Sequence, residues 1–152
     1  MNRSARIQIL NSPALLDTNV IGECGRDDGD PVVARWLPQI KKSNIRVAAQ
    51  SWGELYYGIY KMPLGKRRNY FENWLDELIA AYHDETCFFD TESAQIWGRL
   101  LAQQRASGSE RPAIDLQIAA TALRHRLPIV TRNTKHFEGL GLTLINPWAK
   151  TV

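Results

Sequence analysis

The feature that most limits how this chain can fold is a repeated switch of hydrophobic period. Short apolar runs ending at a polar residue alternate with longer stretches whose apolar residues recur every three or four positions. Ala14-Leu15-Leu16 stops at Asp17-Thr18-Asn19, a strand followed by helix-start chemistry. Pro31, favoured in a first helical turn, opens Val32-Val33-Ala34-Arg35-Trp36-Leu37. Ile45 to Ala49 alternates as a second strand, and Ser51-Trp52-Gly53-Glu54 fits a capping box ahead of Leu55, Tyr56 and Ile59. Met62-Pro63-Leu64-Gly65 ends that helix, and Lys66-Arg67-Arg68 follows as a basic turn. Phe71, Trp74, Leu75, Leu78, Ile79 and Tyr82 then mark a long amphipathic helix.

The second half repeats the scheme. Cys87-Phe88-Phe89 reads as a short buried strand ending at Asp90. Ala94, Trp97, Leu100 and Leu101 mark a helix closed by Ser107-Gly108-Ser109. Asp115 begins another, carrying Ile118, Ala119, Ala122 and Leu123. Pro128-Ile129-Val130 and Leu142 to Ile145 supply two more strands. Strands alternating with helices predict an α/β fold, an α/β/α sandwich around a mostly parallel sheet of four or five strands.

At 152 residues the chain makes one ordinary domain, and 44% hydrophobic with 23% charged residues is a globular composition. The apolar runs are too short to span a membrane. The two cysteines, Cys24 and Cys87, show no CxxC spacing, which excludes a zinc finger or disulfide scaffold. The start lacks the apolar stretch of a signal peptide, so reduced thiols and a cytoplasmic location are expected. Residues 1–13 read as an N-terminal extension, 14–148 as the domain and 149–152 as a C-terminal tail. A net charge of +3 permits a polyanionic partner without demanding one.

In an open parallel sheet, ligands collect at the carboxyl ends of the strands. Asp17 follows the first strand, Thr131 to Asn133 follow the fourth, and Glu54 and Asp115 stand at the beginnings of helices. Three carboxylates could thus meet on one rim, where a hard divalent cation would offset their repulsion. Read singly, each has a plainer role. Asp17 and Asp115 are good N-caps, and Glu54 completes the capping box. Asp115 resists that role, because the apolar residues three, four, seven and eight further on put it on the inward stripe. His136 reads first as a surface histidine and Asn133 as a turn residue. Lys66, Arg67 and Arg68 describe a solvated loop before a phosphate contact.

Five segments occur in order: Leu15-Leu16-Asp17-Thr18-Asn19-Val20-Ile21, Gly53-Glu54-Leu55, Ile114-Asp115 through Leu123, Val130-Thr131-Arg132-Asn133, and Asn146-Pro147-Trp148. Together they resemble the PIN-domain ribonucleases, and most closely the VapC/FitB-type toxins of bacterial toxin–antitoxin pairs. The resemblance implies that Asp17, Glu54 and Asp115 are catalytic residues and metal ligands, with Mg²⁺ or Mn²⁺ as cofactor. It places Thr18, Asn19, Thr131 and Asn133 in support. It makes Arg132, Lys135, Lys66, Arg67 and Arg68 candidates for RNA contact, and puts His136 where the family often has Asp. It further implies an RNA substrate, metal-dependent endonucleolytic hydrolysis, a homodimer and a cognate antitoxin. A second reading, a PIN-like module that binds RNA or protein without cutting, rests on the non-acidic Asn133 and His136. A phosphotransferase beginning with strand and Asp would need a second Asp two residues on, where this chain has Asn19.

Overall fold

The computed structural model describes residues 11–149. The expected extension at 1–13 and tail at 149–152 therefore lie outside the described residues, except at 11–13 and 149. Five short strands form one sheet in which every pairing is parallel. They are β1 (Ala14–Leu16), β2 (Ile45–Ala48), β3 (Thr86–Cys87), β4 (Ile129–Val130) and β5 (Leu144–Ile145), in the order β3-β2-β1-β4-β5. Helices among the described residues are α1 (Thr18–Ile21), α2 (Pro31–Trp36), α3 (Ala49–Tyr60), α4 (Lys66–Ala81), α5 (Thr91–Ala106) and α6 (Ala113–Arg124).

Alternation along the strands divides the core into two layers. Ala14, Leu16, Val47 and Val130 point to one face, where α1 to α4 contribute Val20, Ile21, Val33, Trp36, Trp52, Ile59, Phe71, Leu75 and Leu78. Leu15, Ala48, Cys87 and Ile129 point to the other, against Leu100 of α5 and Leu116, Ile118, Ala119 and Ala122 of α6. With both faces covered, the strands need no polar alternation, which is why Ala14-Leu15-Leu16 is wholly apolar. Burial of each large side chain here contributes about 1.5–3 kcal/mol. The expected α/β/α sandwich is the fold observed.

Several local expectations are corrected. The strand read at Cys87-Phe88-Phe89 is Thr86–Cys87 instead; beyond it Phe88 is 62% exposed, while Phe89 turns back against the second core layer. Ser51 is not an N-cap, because α3 starts two residues earlier with Ala48 at its cap, and Ser51 is buried within the first turn. Lys66, Arg67 and Arg68 are not a turn but the first residues of α4. In β5 only Leu144 and Ile145 pair, although Leu142 and Thr143 approach the same edge.

The topology places the site. From β1 the chain moves outward through β2 to β3, then returns to lay β4 on the opposite side of β1. The direction of winding therefore reverses between β1 and β4, and side chains just beyond these two strands face a shared crevice.

Candidate active site at the sheet switch point

Asp17 leaves the end of β1 directly into that crevice. Its backbone is extended, and Oδ1 accepts from the Thr18 backbone N–H at 2.8 Å, so it does cap α1. Its other oxygen is engaged as well. Thr131, fully buried beyond β4, donates its hydroxyl to Asp17 Oδ2 at 2.8 Å, and Asn19 Nδ2 approaches the same oxygen at 3.3 Å. Capping and site membership are thus two uses of one carboxylate. The Asn133 backbone N–H donates back to Thr131 Oγ1 at 3.0 Å, closing the turn after β4.

Glu54 comes from the second turn of α3, which rises from β2. The Thr18 hydroxyl donates to Glu54 Oε1 at 2.5 Å and lies 3.0 Å from Ser51 Oγ. The Ser51-to-Glu54 spacing is therefore real, but it serves contact with α1 rather than a helix end. Asp115 is the third residue of α6, whose cap is Pro112, and it makes no capping bond. It is 8% exposed, as its place on the apolar stripe predicts. Its Oδ2 stands 2.7 Å from Nδ1 of His136. His136 keeps the surface position expected of it, its side chain 44% exposed, but the short turn Thr134–His136 also brings its ring to Asp115.

Asp17, Thr18, Asn19, Glu54, Asp115, Asn133 and His136 line one cavity of about 490 Å³. Burial pushes the Asp17 carboxyl up to about 6; the fields of Asp115 and Glu54 add to the rise, and the Thr131 and Thr18 donors oppose it. Burial also raises Asp115, against the lowering effect of His136. Asp17 and Asp115 thus both sit where burial disfavours their negative charge.

Three carboxylates are hard oxygen donors, the type that Mg²⁺ or Mn²⁺ takes, so the donor set fits such an ion. Among the described residues no three His, Cys, Asp or Glu side chains are already gathered into a cage. The preformed feature is a carboxylate-lined cavity whose acids are met by Thr18, Thr131 and His136.

The basic candidates lie outside this cavity. The Arg132 guanidinium stacks 5.3 Å from the Trp148 ring, Arg67 covers Phe71, and Arg68 pairs with Glu72 at 2.6 Å. Lys66 and Lys135 are exposed. Two further charged residues line the cavity without a motif to announce them. Arg26 is held by both oxygens of Asp28 and stacked near Phe71, while Glu23 accepts from the Asp30 backbone N–H. Both belong to the irregular segment after α1, where no periodicity exists to read.

Residues 14–140 match the PIN domain. The chain is 37% identical over 135 residues to a VapC ribonuclease of Sinorhizobium fredii, covering 88% of this chain and 96% of that protein. It is 31% identical over 135 residues to Toxin FitB of Neisseria gonorrhoeae, covering 88% and 97%. Among solved structures, FitAcB from Neisseria gonorrhoeae superposes with a TM-score of 0.81 at 30% identity, over 90% of this chain and 99% of that one. A toxin–antitoxin complex from Klebsiella pneumoniae shares the fold at a TM-score of 0.66 and 21% identity, over 90% and 99%. With the matched residues spanning both layers of the core and the whole crevice, this chain belongs to the PIN-domain family.

Proposed function

We propose that this protein is a metal-dependent endoribonuclease acting as the toxin of a toxin–antitoxin pair, its domain spanning 14–148. One observation carries the reading: three carboxylates from separate segments line one cavity at the switch point of a parallel sheet. Asp17, Glu54 and Asp115 would hold Mg²⁺ or Mn²⁺, which supplies positive charge at a phosphoryl oxygen and lowers the pKa of water. Thr131 and the Thr18 N–H favour the ionised form of Asp17 against its burial and aim it; Thr18 fixes Glu54 from the side. A carboxylate would accept a proton from the water as its oxygen bonds to phosphorus; the P–O3′ bond would break and the departing 3′ oxygen would take a proton from solvent, leaving a 5′-phosphate and a 3′-hydroxyl. Arg132, Lys135, Lys66, Arg67 and Arg68, being outside the cavity, would contact the RNA backbone at a distance from the cut.

The relatives named as a VapC ribonuclease and as a toxin support this reading, and the toxin–antitoxin complexes of the same fold support an antitoxin partner. A homodimer and a cytoplasmic location belong to the same proposal. No helix among the described residues is long and apolar enough to cross a membrane.

The test is cleavage of total bacterial RNA by purified protein, freed of copurifying partners, with Mn²⁺, Mg²⁺ or EDTA. Discrete fragments that need the metal and vanish in Asp17→Asn are the expected result. Intact RNA that is nevertheless retained by the protein would favour the binding module instead.

A further inference from the structure

The histidine at 136 is stitched to Asp115 by more than its own side chain. Arg111, two residues before α6, donates from Nη1 to the His136 carbonyl at 3.2 Å and from Nη2 to the Glu138 carbonyl at 2.6 Å. The adjacent Phe137 is fully buried and pins the turn from beneath. Backbone is therefore fixed on both sides of the 2.7 Å contact between His136 Nδ1 and Asp115 Oδ2. The contact joins two groups held in place, so little side-chain entropy opposes it.

The same loop serves Asp17 through Thr131. Residues 131 to 136 thus bring a donor to each of two buried carboxylates, while Thr18 brings one to the third. An acid at 136 would add like charge beside Asp115; an imidazole N–H satisfies the buried oxygen without doing so.

We infer that His136 is a positioning residue for Asp115, its Nδ1 occupying one carboxylate oxygen so that Asp115 offers a single oxygen to the cation. The inference rests on the metal-site reading above. It makes the departure from acid at 136 a change of task, from cation ligand to hydrogen-bond donor, rather than a lesion.

Asparagine and glutamine separate the two ring nitrogens. His136→Asn keeps an N–H near the position of Nδ1, whereas His136→Gln keeps one near Nε2 and loses the first. Mn²⁺ binding to the full chain, read by calorimetry and by electron paramagnetic resonance, is compared across wild type, His136→Ala, →Asn and →Gln. Thermal melts establish that each variant is folded. Alanine and glutamine are expected to weaken Mn²⁺ binding about 10–100-fold, and asparagine to stay within about threefold of wild type. Bound Mn²⁺ is expected to show no ¹⁴N coupling from an imidazole. Binding in His136→Ala equal to wild type would overturn the inference, as would glutamine rescuing where asparagine fails, or a ¹⁴N coupling that His136→Ala abolishes. Should alanine fail to fold, the asparagine–glutamine pair decides alone. Asp115→Asn is run alongside. If it loses Mn²⁺ while His136→Ala does not, only the positioning role falls. If wild type binds no Mn²⁺, the metal-site reading falls with it.

Discussion

Asp17 carries two duties that pull in opposite directions. It caps α1, which favours a charged carboxylate, and it is buried beside two other acids, which disfavours one. Burial prevails, and the carboxyl titrates near 6 in the fold against 3.8 ordinarily. The raised value means that protonation favours the folded state. That contribution is present in full below pH 3.8, fades as pH rises through 6, and is absent at pH 7. In metal-free protein, Asp17→Asn, which imitates the protonated acid, is therefore expected to raise stability at pH 7 on the order of 1–3 kcal/mol. Near pH 4 the gain should nearly vanish. Urea unfolding at the two pH values measures it; a loss at pH 7 would mean that the cap and the Thr131 bond outweigh burial. His136 teaches a related lesson. Its sequence context showed only a polar cluster, and its partner lies 21 positions away, so chain-local chemistry could not reveal the pair.

At the level of elements, the helices were readable from period and their beginnings were not. The apolar spacing from Phe71 to Tyr82 placed α4 correctly, yet its first turn, Lys66 to Arg68, looked like loop because three cations follow Pro63 and Gly65. Cations at a helix N-terminus oppose the macrodipole, and α4 has no acid in its first turn. The side chains are compensated otherwise: Arg68 by Glu72 and the Tyr60 ring, Arg67 by the Phe71 ring. Exposed Lys66 has no such contact described, so Lys66→Glu should stabilise the fold by about 0.3–1 kcal/mol. Chemical denaturation detects that. Weaker RNA retention in the same variant would show that the unfavourable cation is kept for binding, and unchanged retention would remove Lys66 from the RNA contacts. In α3 the error was one of register at the cap. Ser51 and Glu54 sit at capping-box spacing, but β2 ends early enough for helix to start at Ala49, which turns Ser51 inward toward Thr18.

For the molecule as a whole, the balance between an acidic cavity and a net charge of +3 governs two measurable responses. An ion that binds only the folded state stabilises it by mass action. At 100 times its Kd, Mn²⁺ is expected to add about 2.7 kcal/mol, roughly 5–10 °C in Tm for a domain of this size. Asp17→Asn and Asp115→Asn should each flatten that shift, and EDTA should abolish it; an undiminished shift in both variants would place the ion elsewhere. RNA retention, for its part, should weaken steadily as salt rises.

What the amino-acid order indicated without help was the fold class and that Asp17, Glu54 and Asp115 could meet on one rim. Both depend on local quantities. Hydrophobic period follows from the geometry of a single helix or strand, and an acid just past a strand or near a helix start is visible at short range. Tertiary structure alone decided which donors engage the oxygens of each acid, both oxygens in the case of Asp17. That choice depends on Thr131, Thr18 and His136, donors supplied by segments distant in the chain. It decided also that Arg26 and Glu23 join the cavity while Arg132 turns to Trp148. Such contacts are settled by how two packed layers close around a sheet whose winding reverses at β1, and no residue's immediate neighbours encode that closure.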